Sequence, residues 1–441
     1  MSRIIIVSNR LPISVSEDDT GKLKTTHSNG GLATALNPVF QEHDTDWIGW
    51  AGMRRHITQV ELGELKIPKN IVPINFTDDE LTSFYDRYSN GVLWPLLHEI
   101  EPSIELTNED IEIAHNVLQS FAAAVMQRVA EGDVIWIHDY QLILLPLYLR
   151  KLGIKNRIGF FLHTPFFTPE NLKSAPQTTL LLDSLRSIDI LGVQAERDVE
   201  AADQCHVKAQ HFPIGVAFEE FDDTNTDKTG VNEVAELHEQ FGNKQIIFSL
   251  SRLDYTKGLP EQIKSISQLA ETRQDFVYRL NVAPSRESVL EYQELKETIE
   301  TMAKETNNTY GTDDWQPIIY TYENLNQQQI SVLYQASSIQ LNVPVKDGMN
   351  LIAKEYIAAC RDPKVLVLSS EAGAAEQLVE ALIVEPTDTD SIVSALSEAL
   401  DMSNFEKKKR WSKLRYNVRQ ENVHDWSQTF LDTLLDKNAE R

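Results

Sequence analysis

Residues 341–355 read LNVPVKDGMNLIAKE and contain the pattern that decides the fold. An apolar strand ends near Asn342, a loop with Asp347 and Gly348 follows, and an apolar-periodic helix carries Glu355. A buried strand, a short loop and a helix form the βα unit of a parallel sheet. The helix N-terminus offers free N–H groups and a positive dipole end to a diphosphate, and glycine lets the backbone approach closely. The segment therefore predicts an α/β fold with an anion site.

Asp347 and Glu355 flank the start of this helix and are eight positions apart. That offset corresponds to at most about 12 Å of helix rise, comparable to the span between the two sugar rings that flank a diphosphate. Ionised carboxylates only accept hydrogen bonds and match vicinal hydroxyls. Asp347 therefore suits the transferred sugar and Glu355 the ribose. The alternative is an Asp in the first helical turn and a solvated helical Glu.

Short apolar runs alternate with segments of helical periodicity along the chain, which favours doubly wound α/β domains with parallel sheets. We predict buried strands at residues 4–7, 134–137, 158–162 and 188–193, and further strands at residues 246–250, 276–282, 318–320, 339–342 and 365–368.

The stretch FEEFDDTNTDKTG follows residue 216 and has the composition of a linker or surface loop. We therefore predict domains at residues 1–216 and 217–423, facing each other across a cleft that is lined by the carboxyl ends of both sheets. The tail, residues 424–441, has an amphipathic apolar stripe that must be buried, and we expect a helix there that can pack back on the first domain. The stripe consists of Trp426, Phe430, Leu431, Leu434 and Leu435.

The 441 residues carry a formal net charge of -25, so nonspecific binding to nucleic acid or to an anionic membrane is disfavoured. Anionic ligands must instead be captured by individual Arg and Lys residues. Cys205 and Cys360 lie far apart without metal-ligand spacing, which predicts two buried thiols and neither a disulfide nor a metal site. The apolar run at the N-terminus is too short for a signal peptide. We expect a cytoplasmic protein.

A second strand, loop and helix start, IIFSLSRLDYTKGLPEQI, places Arg252 and Lys257 just past an apolar strand. Fixed cations at such a position stabilise the charge that grows on a departing diphosphate, without a metal. The alternative is a surface ion pair with Asp254.

The first strand runs into Arg10, and Gly30 and Gly31 precede the next helix, where the backbone can approach a phosphate or sugar. Three aromatic residues follow that are able to stack on sugar faces or to bond phosphate, although aromatics are more often core residues. They are Trp50, Tyr85 and Trp94.

His138 and Asp139 end one apolar strand, and His163 ends a neighbouring one. An imidazole there can hydrogen-bond a transferred sugar and Asp139 an acceptor hydroxyl; helix capping and a core histidine are the alternatives. Arg286 lies in a loop after a strand of the second domain and, with Arg10, can clamp a phosphate from opposite domains.

The segments RLDYTKGLPE and DGMNLIAKE resemble signatures of the retaining trehalose-6-phosphate synthases of glycosyltransferase family 20. The resemblance implies a GT-B fold with two Rossmann-like domains. It also implies donor contacts from Arg252, Lys257, Asp347, Glu355, from the backbone of Gly348, Met349, Asn350 and Leu351, and from a closing Gly30–Gly31 loop, with His163 near the donor sugar. Glucose 6-phosphate would contact Arg10, Trp50, Tyr85, Trp94, Asp139 and Arg286. The residues of the reaction centre would be Asp139, His163, Arg252, Lys257 and Asp347.

The implied reaction transfers glucose from a nucleotide diphosphate glucose to glucose 6-phosphate with retention of configuration. UDP-glucose is the first candidate for the donor, and no cofactor or metal is expected. The alternative is a glucosylglycerol-phosphate synthase or a related glucosyltransferase with another phosphorylated acceptor, and a noncatalytic sugar-phosphate sensor is a third hypothesis. We expect no phosphatase domain after the second domain. The nucleotide base and a homo-oligomeric state stay open.

Overall fold

The computed structural model describes residues 2–18, 20–27, 31–223, 228–242, 244–286 and 289–436. The chain divides into two compact units, Met1–Pro213 with Val423–Arg441, and Ile214–Asn422. These divisions lie a few residues from the boundaries that the sequence predicts.

The first unit is built on a seven-stranded parallel sheet, with a separate antiparallel hairpin of β2 and β3. Its strands are β1 (Ile4–Arg10), β2 (Ile13–Glu17), β3 (Leu23–His27), β4 (Thr45–Trp50), β5 (Ile71–Ile74), β6 (Val134–His138), β7 (Arg157–Phe161), β8 (Ile190–Val193) and β9 (Gln210–His211). The order across the sheet is β5-β4-β1-β6-β7-β8-β9.

The helices of this unit connect successive strands. They are α1 (Gly31–Glu42), α2 (Gln59–Glu64), α3 (Asp78–Glu80), α4 (Trp94–Leu97), α5 (Asn108–Arg128), α6 (Leu145–Lys151), α7 (Pro169–Ser174), α8 (Thr178–Arg186) and α9 (Glu196–Gln204). A π-helix, Leu81–Leu93, joins α3 to α4.

The second unit begins with α10 (Phe218–Asp223) and α11 (Lys228–Phe241) and contains a six-stranded parallel sheet. Its strands are β10 (Gln245–Arg252), β11 (Phe276–Ala283), β12 (Ile318–Tyr322), β13 (Ile339–Asn342), β14 (Val365–Ser369) and β15 (Leu382–Val384). Its other helices are α12 (Leu259–Ala270), α13 (Leu290–Tyr310), α14 (Gln327–Ala336), α15 (Leu351–Ala359), α16 (Thr389–Asp401) and α17 (Asn404–Gln420). The order is β12-β11-β10-β13-β14-β15.

In each sheet, the direction in which successive strands are added reverses at one place. Between β1 and β6 in the first unit, and between β10 and β13 in the second, the connections before and after run to opposite edges of the sheet. Such a switch point opens a crevice outside the carboxyl ends of the two strands, where α/β sheets bind ligands. Arg10 ends β1 and Arg252 ends β10, so the strand order alone places both arginines at these crevices.

The predicted α/β class is confirmed, and each predicted run overlaps a strand of the two sheets. In β12, however, only Ile318 is buried. The sequence analysis did not predict six strands, β2, β3, β4, β5, β9 and β15. Of these, β5, β9 and β15 are short and contain too few residues to show a period. The linker interpretation of FEEFDDTNTDKTG is wrong for its described part, because Phe218–Asp223 is helical. Phe218 is buried, and the guanidinium groups of Arg415 and Arg419 lie 4.9 and 4.5 Å from its ring centroid.

The C-terminal helix α18 (Val423–Leu435) packs on the first sheet, and its predicted stripe is buried at Trp426, Phe430, Leu431 and Leu434. The Phe430 ring stacks on Trp136 of β6 at a centroid distance of 4.8 Å. Gly159 of β7 makes this close contact possible, because a Cβ there would lie 2.8 Å from Phe430 and 2.9 Å from Leu434.

Lys354 of α15 is completely buried in the second unit. Its Nζ donates a hydrogen bond of 2.8 Å to the carbonyl of Ile214 and lies 3.8 Å from the Glu421 carboxylate. Burial lowers the pKa of Lys354 to about 8, because the charged form loses its hydration. Val216 and Asn422 also form a parallel bridge. Lys354 and this bridge therefore hold the first and last residues of the unit together.

Both thiols, Cys205 and Cys360, are free and buried, as predicted. Within the described part of the chain, no helix is both long and apolar enough to cross a membrane.

Gly159→Ala is expected to lower the free energy of unfolding by about 1–3 kcal/mol, because the added methyl group overpacks the contact with Phe430 and Leu434. Urea unfolding followed by tryptophan fluorescence measures this change. Gly63→Ala is the control, since a Cβ at this helical position meets nothing within 4 Å and should be neutral or stabilising. Equal stability of the Gly159→Ala variant and the wild type would contradict the packing argument.

Candidate functional site

Arg10 projects from the carboxyl end of β1 and is held by three neighbours. Its guanidinium carbon lies 4.7 Å from the centroid of the Trp50 ring, and Nη2 donates a hydrogen bond of 3.2 Å to Ser14 Oγ. A Cβ at Gly52, where φ is +93°, would lie 2.8 Å from both terminal nitrogens of Arg10. Arg10 nevertheless retains an exposed surface. It therefore offers a positioned cation to an anionic ligand.

The three predicted aromatic residues differ in exposure. Trp50 is 6% exposed and Trp94 is 7% exposed. Trp50 stacks on Phe76 at 5.4 Å and lies 6.0 Å from the ring of Tyr85, which is half-buried in the π-helix. Trp50 thus mainly forms a platform for Arg10, whereas Tyr85 keeps a surface beside them.

Trp94 belongs to a separate aromatic contact. Its ring packs on His98 at a centroid distance of 4.1 Å and on Tyr140 at 5.4 Å. Tyr140 in turn donates a hydrogen bond of 2.7 Å to the Asn90 side chain. The structure therefore brings Arg10, Trp50 and Tyr85 together and places Trp94 in the core next to Tyr140.

His163 and Asp139 are joined through the backbone, since the His163 amide donates to Asp139 Oδ1 at 3.3 Å. The His163 ring lies 3.3 Å from the ring of His138 and 3.5 Å from Gln194 Nε2. Burial lowers the pKa of His163 to about 3 and that of His138 well below its usual value. Both imidazoles are therefore neutral at physiological pH, so His163 can hydrogen-bond a ligand but carries no charge.

His138 is fully buried and is a core histidine that supports His163. Asp139 is not a helix cap, because its side chain makes no capping hydrogen bond to the following turn. Its φ of 75° is positive, a backbone conformation that residues other than glycine rarely adopt and that is enriched at functional sites. Gly30 lies outside the described residues, and Gly31 is the first residue of α1.

Lys257 and Asp347 form the central ion pair of the second unit. Lys257 Nζ donates to Asp347 Oδ2 at 2.7 Å, and the two side chains are 15% and 16% exposed. Arg252 lies exposed at the end of β10, just before the turn that carries Lys257. The structure thus brings the two sequence motifs together, because they follow the neighbouring strands β10 and β13.

Asn350 orients Asp347. It has a left-handed backbone with φ of 73°, and its Nδ2 donates to Asp347 Oδ2 at 3.1 Å. Its Oδ1 accepts hydrogen bonds from Asn342 Nδ2 at 2.6 Å and from the Ala353 amide at 3.3 Å. Asn350 therefore caps α15 and fixes the acidic side chain at the same time.

The predicted backbone contacts lie in the loop that leads into α15. Asp347 forms a bridge with Ala372, and the Met349 carbonyl accepts a hydrogen bond of 2.8 Å from the Ala374 amide. Gly348 lies between these two anchored residues, and Leu351 is the first residue of α15. The loop is therefore fixed against the segment that follows β14.

Glu355 is not the solvated helical glutamate of the structural alternative. It is half-buried, and its Oε2 accepts a hydrogen bond of 3.3 Å from the hydroxyl of Tyr334, a fully buried residue. Burial raises the pKa of Glu355 to about 7, although the bond from Tyr334 acts in the opposite direction. The helix begins at Leu351, so Asp347 lies in the loop and not in the first helical turn.

Arg286 follows β11 with a left-handed backbone, φ of 48°, and its side chain is 10% exposed. Its Nη1 lies 3.5 Å from Asp254 Oδ2 and also hydrogen-bonds the hydroxyl of Tyr292. Asp254 is 1% exposed. The structural alternative, in which Asp254 pairs at the surface with Arg252 or Lys257, is therefore wrong: Lys257 pairs with Asp347, and the partner of Asp254 is Arg286.

Sequence reasoning missed several residues that support the site. Asp254 is part of the RLDYTKG motif, so the sequence did contain a signal for it. Asn342, Tyr334, Tyr292 and Gln194 lie inside strands, helices or a loop without any local signal, because their partners are distant in the sequence. Among the described residues, no group of three His, Cys, Asp or Glu side chains is arranged to hold a metal ion.

Comparison with known proteins gives matches over the whole chain. The model of glycosyltransferase family 20 matches residues 2–201 and 196–436. A trehalose-6-phosphate synthase of Sodalis glossinidius is 34% identical over 462 residues, covering 98% of this chain and 96% of that protein. A bifunctional trehalose-6-phosphate synthase/phosphatase of Thermoproteus tenax is 32% identical over 474 residues, covering 100% of this chain. The chain spans 64% of the length of this second relative.

Two solved structures are similar to the chain along almost its full length. One, trehalose-6-phosphate from E. coli bound with UDP-2-fluoro glucose, has a TM-score of 0.88 and 30% identity and covers 99% of both chains. The other is an alpha,alpha-trehalose-phosphate synthase (UDP-forming) from Burkholderia xenovorans in complex with glucose-6-phosphate. It has a TM-score of 0.87 and 30% identity and covers 98% of this chain and 100% of its own. The predicted GT-B fold is confirmed.

The raised pKa of Glu355 predicts a pH-dependent stability difference between the wild type and Glu355→Gln. A group whose pKa rises on folding, here from 4.5 to about 7, binds more protons when folded. Wild-type stability should therefore fall relative to the variant as the pH rises from 5 to 8, by about 3 kcal/mol at most. Urea unfolding at both pH values measures the difference, with the exposed Glu297→Gln as control. A difference that does not change with pH would contradict the assignment.

Proposed function

Because the chain belongs to glycosyltransferase family 20, we infer that it is a retaining trehalose-6-phosphate synthase that transfers glucose from UDP-glucose to glucose 6-phosphate. The observation that carries this inference is the ion pair of Lys257 and Asp347 at the switch point of the second sheet, with Glu355 on the helix that follows. It joins a cation, a sugar-binding carboxylate and a helix N-terminus in one place.

The donor half of the site lies in the second unit. Arg252 and Lys257 face the diphosphate and stabilise the negative charge that grows on it as the glycosidic bond breaks. Asp347, oriented by Asn350, accepts hydrogen bonds from the glucose hydroxyls. The backbone of Gly348, Met349, Asn350 and Leu351 leads into the N-terminus of α15, which favours an anion.

Glu355 accepts hydrogen bonds from the hydroxyls of the ribose. Its pKa of about 7 means that the carboxyl group is partly protonated at neutral pH before the donor binds. Hydroxyls that donate to the carboxylate favour its ionised form and replace the hydration that it lost on burial. Donor binding therefore includes release of a proton from this side chain.

We assign the acceptor contacts to residues of both units. Arg10 and Tyr85 in the first unit and Arg286 in the second bind the phosphate of glucose 6-phosphate, because the two arginines supply the charges. Asp139 accepts a hydrogen bond from an acceptor hydroxyl. Trp50 supports Arg10, and Trp94 backs the wall of the acceptor site. His163, held neutral, hydrogen-bonds the transferred glucose, and we assign Gly30 and Gly31 to donor binding.

The transfer forms a bond between the acceptor oxygen and the anomeric carbon of glucose while the bond from that carbon to the diphosphate oxygen breaks. The proton of the acceptor hydroxyl passes to the departing diphosphate, and both events occur on one face of the sugar. The protein contributes chiefly orientation and electrostatic stabilisation. We propose a cytoplasmic location for this reaction, supported by two thiols that remain unpaired.

Product analysis tests the activity directly. The purified protein, incubated with UDP-glucose and glucose 6-phosphate, should yield UDP and trehalose 6-phosphate with retained configuration, detected by mass spectrometry and NMR. Lys257→Ala should lower kcat by about 100-fold, because it removes the positive charge that stabilises the leaving diphosphate. Absence of a phosphorylated disaccharide with every common nucleotide-glucose would contradict the function. Turnover with glycerol 3-phosphate but not with glucose 6-phosphate would identify the alternative acceptor.

Gly52→Ala should weaken acceptor use, because the added Cβ displaces the Arg10 guanidinium. We expect the KM for glucose 6-phosphate to rise about ten-fold, because one charge-assisted hydrogen bond is lost. The Kd for UDP-glucose should not change. Steady-state kinetics and calorimetry measure the two constants. Gly21→Ala is the matched control, since Gly21 also has a positive φ, +79°, but no atom within 4 Å of its Cβ position. An equal effect of both variants would show that backbone strain, and not the contact with Arg10, causes the loss.

A further inference from the structure

Asp254 is a buried carboxylate for which the transfer reaction has no direct use. It directly precedes the short turn Tyr255–Lys257 and is 1% exposed. Its Oδ1 accepts hydrogen bonds from the Thr256 amide at 3.0 Å and from Thr256 Oγ1 at 2.9 Å. Its Oδ2 lies 3.5 Å from Arg286 Nη1 and 3.5 Å from the hydroxyl of Tyr292. The two oxygens thus face two different elements.

Three cations determine the ionisation of Asp254. Burial by itself raises its pKa, but Arg286, Lys257 and Arg252, in this order of strength, together with the Thr256 amide, outweigh burial and hold the pKa below its usual range. Asp254 is therefore an anion at neutral pH. A buried charge of this kind is tolerated only when it is paired and hydrogen-bonded.

We propose that Asp254 is a positioning residue that couples the acceptor phosphate site to the donor diphosphate site within the second unit. Through Oδ1 it sets the turn that carries Lys257, and through Oδ2 it aims Arg286. The inference rests on the proposed function, which assigns Lys257 to the donor and Arg286 to the acceptor.

Arg286 needs such an anchor. It stands in the loop after β11 with a left-handed backbone, and a long arginine side chain has many rotamers. Asp254 and Tyr292 hold it from one side, and the Arg286 guanidinium carbon lies 5.2 Å from the centroid of the Tyr292 ring. Tyr292 is itself buried and fixed in α13. One carboxylate therefore restricts the guanidinium before the phosphate arrives, which lowers the entropy cost of binding.

Asp254→Asn separates the two functions of the carboxylate. The amide oxygen of Asn can still accept from Thr256, so the turn with Lys257 is preserved. The amide nitrogen that replaces Oδ2 is a donor and faces the donors of Arg286 and Tyr292, so the anchor of Arg286 is lost. We expect the KM for glucose 6-phosphate to rise about ten-fold and the Kd for UDP-glucose to stay within about two-fold.

Asp254→Ala removes both oxygens and should weaken donor and acceptor binding together. Tyr292→Phe removes a hydroxyl that contacts Asp254 and Arg286 and should affect acceptor use alone, to a smaller extent. The exposed Asp314→Asn is the control for the change of net charge. Circular dichroism and the thermal midpoint exclude unfolding as the cause.

The decisive readout is the preference for glucose 6-phosphate over unphosphorylated glucose, taken as the ratio of kcat/KM for the two acceptors. This ratio should fall about ten-fold in Asp254→Asn, because Arg286 contacts only the phosphate, and it should stay unchanged in Asp314→Asn. An unchanged ratio in Asp254→Asn, or an equal loss for UDP-glucose and glucose 6-phosphate, would overturn the inference. A wild-type protein without any transfer to glucose 6-phosphate would instead overturn the proposed function.

Discussion

The structure depends on one topological constraint: in each parallel sheet the order of strands reverses once, and the carboxyl ends on either side of the reversal must diverge. Neighbouring connections leave in opposite directions there, which opens a crevice beside the strand ends. In the first unit Arg10 ends β1 and Asp139 follows β6. In the second unit Arg252 ends β10 and Asp347 comes after β13. The residues to which we assign chemical roles are thus brought together by strand pairing.

A second theme is the pairing of cations with carboxylates in a strongly acidic chain. The net charge of -25 repels phosphates at long range, and the site has to overcome this locally. Lys257 is held by Asp347 and Arg286 by Asp254, so the cations are oriented before a substrate binds. Orientation by a buried carboxylate reduces the attraction for anions but fixes the direction in which the remaining N–H groups point.

Burial adjusts the protonation of the site without changing its residues. His163 is neutral and Glu355 titrates near neutrality because both have lost hydration, and the neighbouring charges do not compensate. Asp254 shows the opposite outcome at even greater burial, because three cations surround it. The number of opposite charges nearby, and not burial alone, decides whether a group in this protein stays ionised.

The sequence by itself determined the α/β class, most of the strands and the two strand–loop–helix motifs with Arg252, Lys257, Asp347 and Glu355, because periodicity and motif spacing are local properties. Only the tertiary structure decided that Asp254 pairs with Arg286, that Tyr334 bonds Glu355, that Trp50 and Trp94 are buried and that FEEFDD is a helix. These contacts join residues that are far apart in the chain. Their partners, and the local polarity that sets each pKa, exist only once both sheets are assembled.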